Sequence, residues 1–290
     1  MLNSFEIKEL EPKDFPEILS EIADPPTKLY IRGKLPSPDT KILCVVGSRK
    51  YTQYGKDVCE RLIMGLRGYN ITIVSGLALG IDGIAHRAAL DAGLKTIAVP
   101  GSGLHESVLY PSSHKQLAEK ILENDGVLIS EFEPKFQATP WSFPKRNRIM
   151  AGLSHAILVI EAEIKSGTLI TSKFATEYNR DVLTVPGSIF SKNSEGPNML
   201  LRLGATPIRS SEDILEALGF KIDEEPKNQE LKYSNCSEDE LIVIKTLNTP
   251  MERDELIQIL KWPASKVSAT ISIMEIKGLI KENVGKIFLL

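Results

Sequence analysis

Cysteine is scarce in this sequence of 290 residues. Cys44, Cys59 and Cys236 are odd in number, lie far apart and form no Cys-x-x-Cys pair. These features argue against a disulfide framework and against a zinc site, and they fit a reducing compartment. No apolar run approaches the roughly 18 residues of a membrane span. The N-terminal stretch MLNSFEIKELEPKDF has neither the basic nor the apolar segment of an export signal. We therefore expect a cytoplasmic protein that makes no membrane contact.

An excess of positive charge is also missing. Lys and Arg number 35 and Asp and Glu number 38, which gives a formal net charge of −3. Any nucleic-acid site must then be a local basic patch on an otherwise neutral body. The hydrophobic fraction of 42% is typical of a soluble protein with a buried core. The length suits one large domain with a smaller one.

Two common nucleotide-binding fingerprints are incomplete. The P-loop pattern ends in Gly-Lys followed by Ser or Thr, but Asp57 follows Gly55 and Lys56 here. A dinucleotide pattern that begins at Gly101 would need a third glycine where Glu106 stands. These departures argue against NAD and ATP, so we expect no nucleotide cofactor.

Six short apolar runs rich in β-branched residues predict buried strands. They span residues 42–46, 71–74, 96–99, 127–129, 156–160 and 182–185. Helical patterns lie between them at residues 54–66, 81–92, 114–123, 149–154 and 169–178. This alternation predicts an α/β fold, a Rossmann-like doubly wound parallel sheet, over residues 41–220. Residues 1–40 are an N-terminal extension in which Tyr30 and Ile31 could add an edge strand.

The C-terminal part has a different pattern. Residues 221–236 are charged and lack apolar periodicity, which is typical of a linker. Three helical patterns follow at 240–247, 253–260 and 264–277, and then two short strands flank Gly285. Three helices and a hairpin predict a small winged-helix domain over residues 237–290. Acidic residues there outnumber basic ones by one, whereas duplex-binding modules are distinctly basic. We therefore expect a protein contact or a weak DNA contact.

Ligands of doubly wound sheets bind beyond the carboxyl ends of the strands. Gly47, Ser48 and Arg49 follow the first predicted strand of the core. Glycine permits close backbone approach, serine offers a hydroxyl, and the arginine fork matches phosphate oxygens. An ordinary surface turn explains the tripeptide equally well. Ser75 and Gly76 follow the second strand and lead toward a helix whose N-terminal amides would attract an anion.

Two further groups of polar residues lie near predicted helix starts. Asp82 is better explained by helix capping than by chemistry, and it could orient His86 one turn later. Ser166, Gly167 and Thr168 follow the fifth strand and predict another donor-rich helix start. Simple N-capping by the serine or the threonine is the alternative.

The densest basic cluster is WSFPKRNR, residues 141–148. Three cations alternate there with two aromatic side chains. This composition is typical of a single-stranded nucleic-acid site, where charges follow phosphates and rings stack on bases. The alternative is a solvated helix start whose aromatic residues are buried. We favour the nucleic-acid site because the rest of the chain is acidic.

Several segments together resemble the DNA-processing protein A (DprA/Smf) family. They include DPPTKLYIRGKL (24–35), VVGSRKYTQYG (45–55), VSGLALGIDGIAHRAAL (74–90), FPKRNRIMAGLS (143–154) and EAEIKSGTLITSKFA (161–175). The resemblance covers residues 20–219 with high specificity and the winged helix with less. One departure is Leu79, where the family often has arginine.

The resemblance implies a core that binds single-stranded DNA without sequence preference and hands it to the RecA recombinase in natural transformation. It also implies a homodimer formed through the core, with no metal or nucleotide cofactor and no enzyme activity. The expected DNA-binding residues are Gly47, Ser48, Arg49, Ser75, Gly76, Phe143, Lys145, Arg146, Asn147, Ser166, Gly167 and Thr168.

Two other function classes remain open. A nucleoside-monophosphate phosphoribohydrolase would need a carboxylate beside a glycine-rich phosphate turn. Glu131, Glu133 and Glu161 are candidate carboxylates, but no PGGxGT segment accompanies them. The other class is a dimeric scaffold without a ligand.

The last predicted helix of the core, residues 211–218, is the candidate dimer interface. Ile214, Leu215 and Leu218 form one apolar stripe on it. The stripe could equally well pack inside the protomer, and the family resemblance favours dimerisation.

Overall fold

The computed structural model describes residues 5–221, 236–247, 251–283 and 285–289. The chain divides into two compact units, Met1–Glu224 and Glu225–Leu290. The division falls within the predicted linker, of which residues 222–235 lie outside the described residues. No helix in these four ranges is both long and apolar enough to cross a bilayer.

The first unit is built on one nine-stranded sheet with the order β1-β2-β6-β5-β4-β3-β7-β8-β9. The seven consecutive strands β6-β5-β4-β3-β7-β8-β9 of this sheet all run parallel to one another. Strand β2 pairs antiparallel with both β1 and β6. The strands are β1 Ile7–Leu10, β2 Leu29–Gly33, β3 Lys41–Val46, β4 Ile71–Ser75, β5 Lys95–Ala98, β6 Val127–Ser130, β7 Ala156–Val159, β8 Asp181–Thr184 and β9 Thr206–Pro207.

Helices cover both faces of this sheet. They are α1 Glu17–Ser20, α2 Gln53–Met64, α3 Ile81–Asp91, α4 Lys115–Glu123, α5 Ser142–Gly152, α6 Thr168–Glu177, α7 Glu195–Arg202 and α8 Ser211–Ala217. Strand β3 shows why both faces must be covered, because its alternate residues enter different cores. Leu43 and Val45 pack with residues of α2, α3 and α8. Cys44 and Val46 pack with residues of α1, α5 and α6.

The predicted Rossmann-like, doubly wound sheet is confirmed, with a strand at each of the six predicted positions. Tyr30 and Ile31 do lie in a strand, but β2 is not an edge strand, because β1 pairs along its outer side. Residues 5–40 therefore contribute two strands to the core sheet and belong to the first unit.

Helix α5 begins at Ser142, seven residues before the predicted start. Its first two turns carry polar side chains and Pro144, which hides the apolar periodicity of the helix. Proline is tolerated in the first turn because the N–H groups there have no partner within the helix. The basic cluster is thus mostly helical.

The predicted dimer interface on residues 211–218 is wrong. Ile214, Leu215 and Leu218 are buried in the same core cluster as Leu62 of α2. The Ser211 hydroxyl also donates to the Leu62 carbonyl over 2.9 Å. The apolar stripe of α8 therefore covers the protomer's own sheet.

The second unit has the predicted winged-helix elements. Its helices are α9 Glu238–Thr246, α10 Arg253–Leu260 and α11 Ala264–Ile276. A three-stranded sheet in the order β10-β12-β11 joins Met251–Glu252, Lys286–Leu289 and Ile280–Asn283, of which the first strand was not predicted. Lys266 and Lys277 lie within 2.8 Å of carboxylates on α9, so these two cations are neutralised inside the unit.

Candidate nucleic-acid interface

The loops that follow β3, β4 and β7 lie side by side, because these strands are neighbours in the parallel part of the sheet. The Thr168 hydroxyl at the start of α6 donates to the Gly47 carbonyl after β3 over 3.2 Å. The Asn147 side chain on α5 donates to the Gly167 carbonyl over 3.2 Å. The predicted polar residues thus form one hydrogen-bonded edge.

The loop after β3 presents two cations, Arg49 and Lys50, to solvent. Gly47 is required there, because a Cβ would lie 2.7 Å from the Ile81 side chain. Ser48 is buried, and its hydroxyl accepts a hydrogen bond from the Lys50 amide over 3.0 Å. Arg49 is exposed, with its guanidinium 5.0 Å from the centre of the Phe143 ring. The serine fixes the turn, and the arginine faces outward.

Phe143 lies on the wall of a small cleft at this edge. Its ring is half-buried, and its centre is 5.7 Å from that of Tyr110. The two rings are tilted by 57°. The cleft therefore combines a guanidinium with ring surfaces, and its lining residues are Arg49, Gly76, Ala78, Leu79, Tyr110, Pro111 and Phe143.

Arg146 lies beneath the cleft instead of facing solvent. It is 4% exposed, and its Nη1 donates to the Gly76 carbonyl over 2.6 Å and to the Val99 carbonyl. Asp82 approaches from the other side and accepts hydrogen bonds from the amides of Gly76 and Ala78. Burial lowers the pKa of Arg146 to about 10, and the charge of Asp82 opposes that shift. Burial raises the pKa of Asp82, against the opposing effect of Arg146.

Gly76 fits between these two charged groups only because it has no side chain. A Cβ there would lie 2.5 Å from both Arg146 Nη1 and Asp82 Oδ2. Ser75 is also buried, and its hydroxyl donates to the Val45 carbonyl over 2.7 Å. The loop after β4 is therefore held from below by an arginine and an aspartate.

The predicted capping role of Asp82 and its contact with His86 are not observed. Asp82 binds amides of the preceding loop, as described above. The His86 Nδ1 instead lies 2.7 Å from Thr96 Oγ1. Thr96 donates its own proton to the Ile73 carbonyl, so His86 must be the donor in this pair. His86 is a buried core histidine beneath the site.

The neutral state of His86 makes stability depend on pH. Burial lowers its pKa from 6.5 to about 3, and the nearby charges of His114, Arg87 and Arg146 act in the same direction. Between these pKa values the unfolded chain binds a proton that the folded chain does not, so the free energy of unfolding falls as pH falls. We expect a loss of about 2 kcal/mol between about pH 6.5 and pH 5. Urea unfolding over this range measures it.

His86→Gln is the matched variant, because it removes the titrating group and keeps a polar side chain. Its stability should change much less over the same pH range, whatever its absolute stability. Equal pH slopes for the two proteins would contradict this assignment.

The remaining cations of the basic cluster have different environments. Lys145 is exposed, and its Nζ lies 5.5 Å from the centre of the Phe132 ring and 6.0 Å from that of Trp141. Trp141 is 55% exposed and packs edge-on against Phe132. Arg148 is buried and paired with Glu131. Of the three predicted cations, one reaches solvent and two are enclosed by protein.

The turn before α6 is fixed by its own side chains. The Ser166 hydroxyl accepts a hydrogen bond from the Thr168 amide over 3.1 Å and donates to the Thr168 hydroxyl over 2.9 Å. Gly167 between them is exposed. The N-cap residue of α6 is Gly167, which has no side chain, so the predicted N-capping by Ser166 or Thr168 is not observed. The Ser166 hydrogen bonds fix the turn that precedes the helix.

The three carboxylates of the hydrolase alternative all have protein partners. Glu161 is buried and accepts hydrogen bonds from the amide and hydroxyl of Thr52. Glu133 accepts a hydrogen bond from the Tyr30 hydroxyl over 2.7 Å, and Glu131 is paired with Arg148. The carboxylates hold elements together at this edge.

The family model described as DNA recombination-mediator protein A matches residues 7–219. The chain belongs to this family. A second model, the DprA winged helix domain, matches residues 230–286. Both matches agree with the two structural units, and they confirm the resemblance inferred from the motifs.

Curated relatives in the family include DNA processing protein DprA of Streptococcus pneumoniae and protein Smf of Escherichia coli. The former is 44% identical over 206 residues, which are 71% of this chain and 72% of that protein. The latter is 41% identical over 206 residues, 71% of this chain and 54% of that protein. The chain thus spans about half the length of the Escherichia coli relative.

Two solved structures of DprA proteins share the fold. That from Streptococcus pneumoniae has a TM-score of 0.68 at 40% identity and covers 75% of each chain. That from Helicobacter pylori has a TM-score of 0.66 at 31% identity, covering 75% of this chain and 98% of that one. The Helicobacter pylori structure concerns the single-stranded DNA binding mode of that protein.

The residues predicted from the family resemblance differ in their access to solvent. Arg49, Lys145 and Gly167 are exposed, and Gly47, Phe143 and Ser166 are half-buried, whereas Ser48, Ser75, Gly76, Arg146, Asn147 and Thr168 are buried. Tyr110 was missed as a member of the site. The Tyr-Pro pair that follows the glycine-rich loop after β5 was a usable signal for it.

Proposed function

We propose that this chain binds single-stranded DNA without sequence preference at the cleft beyond the carboxyl ends of β3 and β4. The observation that carries the proposal is the exposed Arg49 guanidinium, 5.0 Å from the half-buried ring of Phe143. Such a pair offers a fork for a phosphate and a ring for an unpaired base. Family membership and the single-stranded DNA binding mode of the Helicobacter pylori relative support it.

Sequence independence is expected because rings stack on any base and cations contact the backbone. Every base has a π face, so stacking discriminates little between them. Lys145 and Trp141 extend the cation and ring surfaces along α5. The proposed role is binding without cleavage, and the engagement of Glu131, Glu133 and Glu161 with protein partners is consistent with it.

We also propose that the bound strand is passed to the RecA recombinase in natural transformation, and that the chain acts as a homodimer. The family description as a recombination mediator supports the first part. For the second, the end of the sheet near β8 and β9 exposes three large apolar side chains. Ile189, Phe190 and Leu203 are 83%, 94% and 74% exposed. RecA filament formation on single strands, measured with and without the protein, tests the transfer to RecA. Light scattering at micromolar concentration tests the homodimer.

Single strands should outcompete duplex by a wide margin. Phe143 and Trp141 can stack only on bases that have no pairing partner. A labelled oligonucleotide bound to the protein is challenged with unlabelled single strands or with blunt duplex of the same sequence. Equal competition by the duplex would contradict the proposed site and favour recognition by the winged helix.

A further inference from the structure

A second cleft lies beside the first one, and Tyr110 lines both. Its volume is about 280 Å³, close to the lower end of the roughly 300–1,000 Å³ of small-ligand sites. The Tyr110 side chain is 46% exposed. Because Tyr110 lines both clefts and is exposed, it can contact a ligand in either one. The residues that line the second cleft include Ser107, Val108, Tyr110, Ser112, Lys115 and Gln137.

The walls of this cleft are fixed by hydrogen bonds between two loops. The Gly103 amide donates to the Phe136 carbonyl over 2.9 Å, and the His105 amide donates to the Pro134 carbonyl over 2.8 Å. The Tyr110 amide donates to a buried serine hydroxyl over 3.2 Å. The cleft is therefore a built feature of the fold.

The lining suits one nucleotide. Lys115 supplies a cation, and Ser107, Ser112 and Gln137 supply hydroxyl and amide groups. Val108 and the other apolar residues offer a surface for a base. All of the lining residues are neutral or basic, so an anion meets no carboxylate in the lining. A phosphate beside an apolar base surface matches this combination.

We propose that the single strand continues past Tyr110 into this second cleft, which binds the next nucleotide with its phosphate on Lys115. The inference rests on the proposed function and adds a direction to it. The strand runs from Arg49 past Phe143 to Tyr110 and then toward the start of α4. Tyr110 stands between two successive bases and contacts both.

Lys115→Gln tests this path, with Lys120→Gln as the matched control. Lys120 is an exposed lysine on the same helix that does not line the cleft. Affinity is measured for oligothymidylates lengthened one nucleotide at a time. The wild type and Lys120→Gln should gain affinity when the strand becomes long enough to pass Tyr110. On strands of that length, Lys115→Gln should bind roughly tenfold more weakly than the wild type. The magnitude of its salt slope on long strands should fall by about 0.7, the value for one phosphate.

A direct contact is tested by photocrosslinking. A strand that carries a single 5-iododeoxyuridine should crosslink to a residue within 107–115, such as Tyr110, when the label occupies the second cleft. Unchanged length dependence in Lys115→Gln would overturn the second subsite. So would an equal loss at every length, because Lys115 would then act at the first cleft.

The proposed function has a separate test in the same series. If Arg49→Ala weakens binding at every length while Lys115→Gln matches the wild type, the first cleft is supported and the second is rejected. If the wild type binds no single strand at low salt, both are rejected.

Discussion

Replacement of Arg49 by alanine is expected to weaken single-stranded DNA binding by roughly 10- to 150-fold. A charged hydrogen bond to phosphate contributes about 1.5–3 kcal/mol, and the guanidinium also forms one side of the cleft with Phe143. Arg49 is exposed, so its loss should leave the free energy of unfolding almost unchanged. Fluorescence anisotropy with a labelled oligonucleotide measures the affinity, and urea unfolding measures the stability.

Arg61→Ala is the control for this change. Arg61 is also an exposed arginine, but it lies in the last turn of α2, away from the loop after β3. Its removal lowers the net charge by the same amount and should alter affinity little. Wild-type affinity in a folded Arg49→Ala protein would remove this residue from the site.

Replacement of Arg146 by methionine is expected to lower the free energy of unfolding by about 3–5 kcal/mol. The variant leaves the buried carboxylate of Asp82 without its opposing charge, and it removes the donor to the Gly76 and Val99 carbonyls. Lys145→Met is the matched control, because Lys145 is the adjacent residue and is exposed. It should unfold close to the wild-type urea concentration and lose only part of the DNA affinity.

A double variant isolates the charge pair. Asp82→Asn combined with Arg146→Met removes both buried charges, so it should be more stable than the sum of the two single losses predicts. A stable Arg146→Met protein that no longer binds DNA would show instead that Arg146 contacts the strand directly.

The core sheet was predictable because its strands are buried on both faces. Such strands appear as short uninterrupted apolar runs, as at β3 and β7, and their alternation with helices identifies the fold. The start of α5 was not predictable in this way. Its first turns are polar because Asn147 and Arg146 bond to neighbouring loops, and those partners are distant in sequence.

Prediction of the site is limited in the same way, because the partners of its polar side chains are distant in sequence. Motifs located the loops that meet at the sheet edge, but composition cannot separate an arginine that faces solvent from one that supports a loop. Arg49 and Arg146 have the same chemistry, yet one is exposed and the other is 4% exposed. The α8 stripe shows a similar limit, since periodicity identifies an apolar face and not what covers it.

Sequence-independent binding of single strands through their phosphates is tested by a salt titration with strands of different sequence. Binding should be detectable at low salt and should weaken linearly on a log–log plot, with a slope of about −0.7 for each phosphate neutralised. Homopolymeric and mixed strands of one length should give nearly the same affinity. No binding at low salt, a flat titration, or strong preference for one sequence would contradict it.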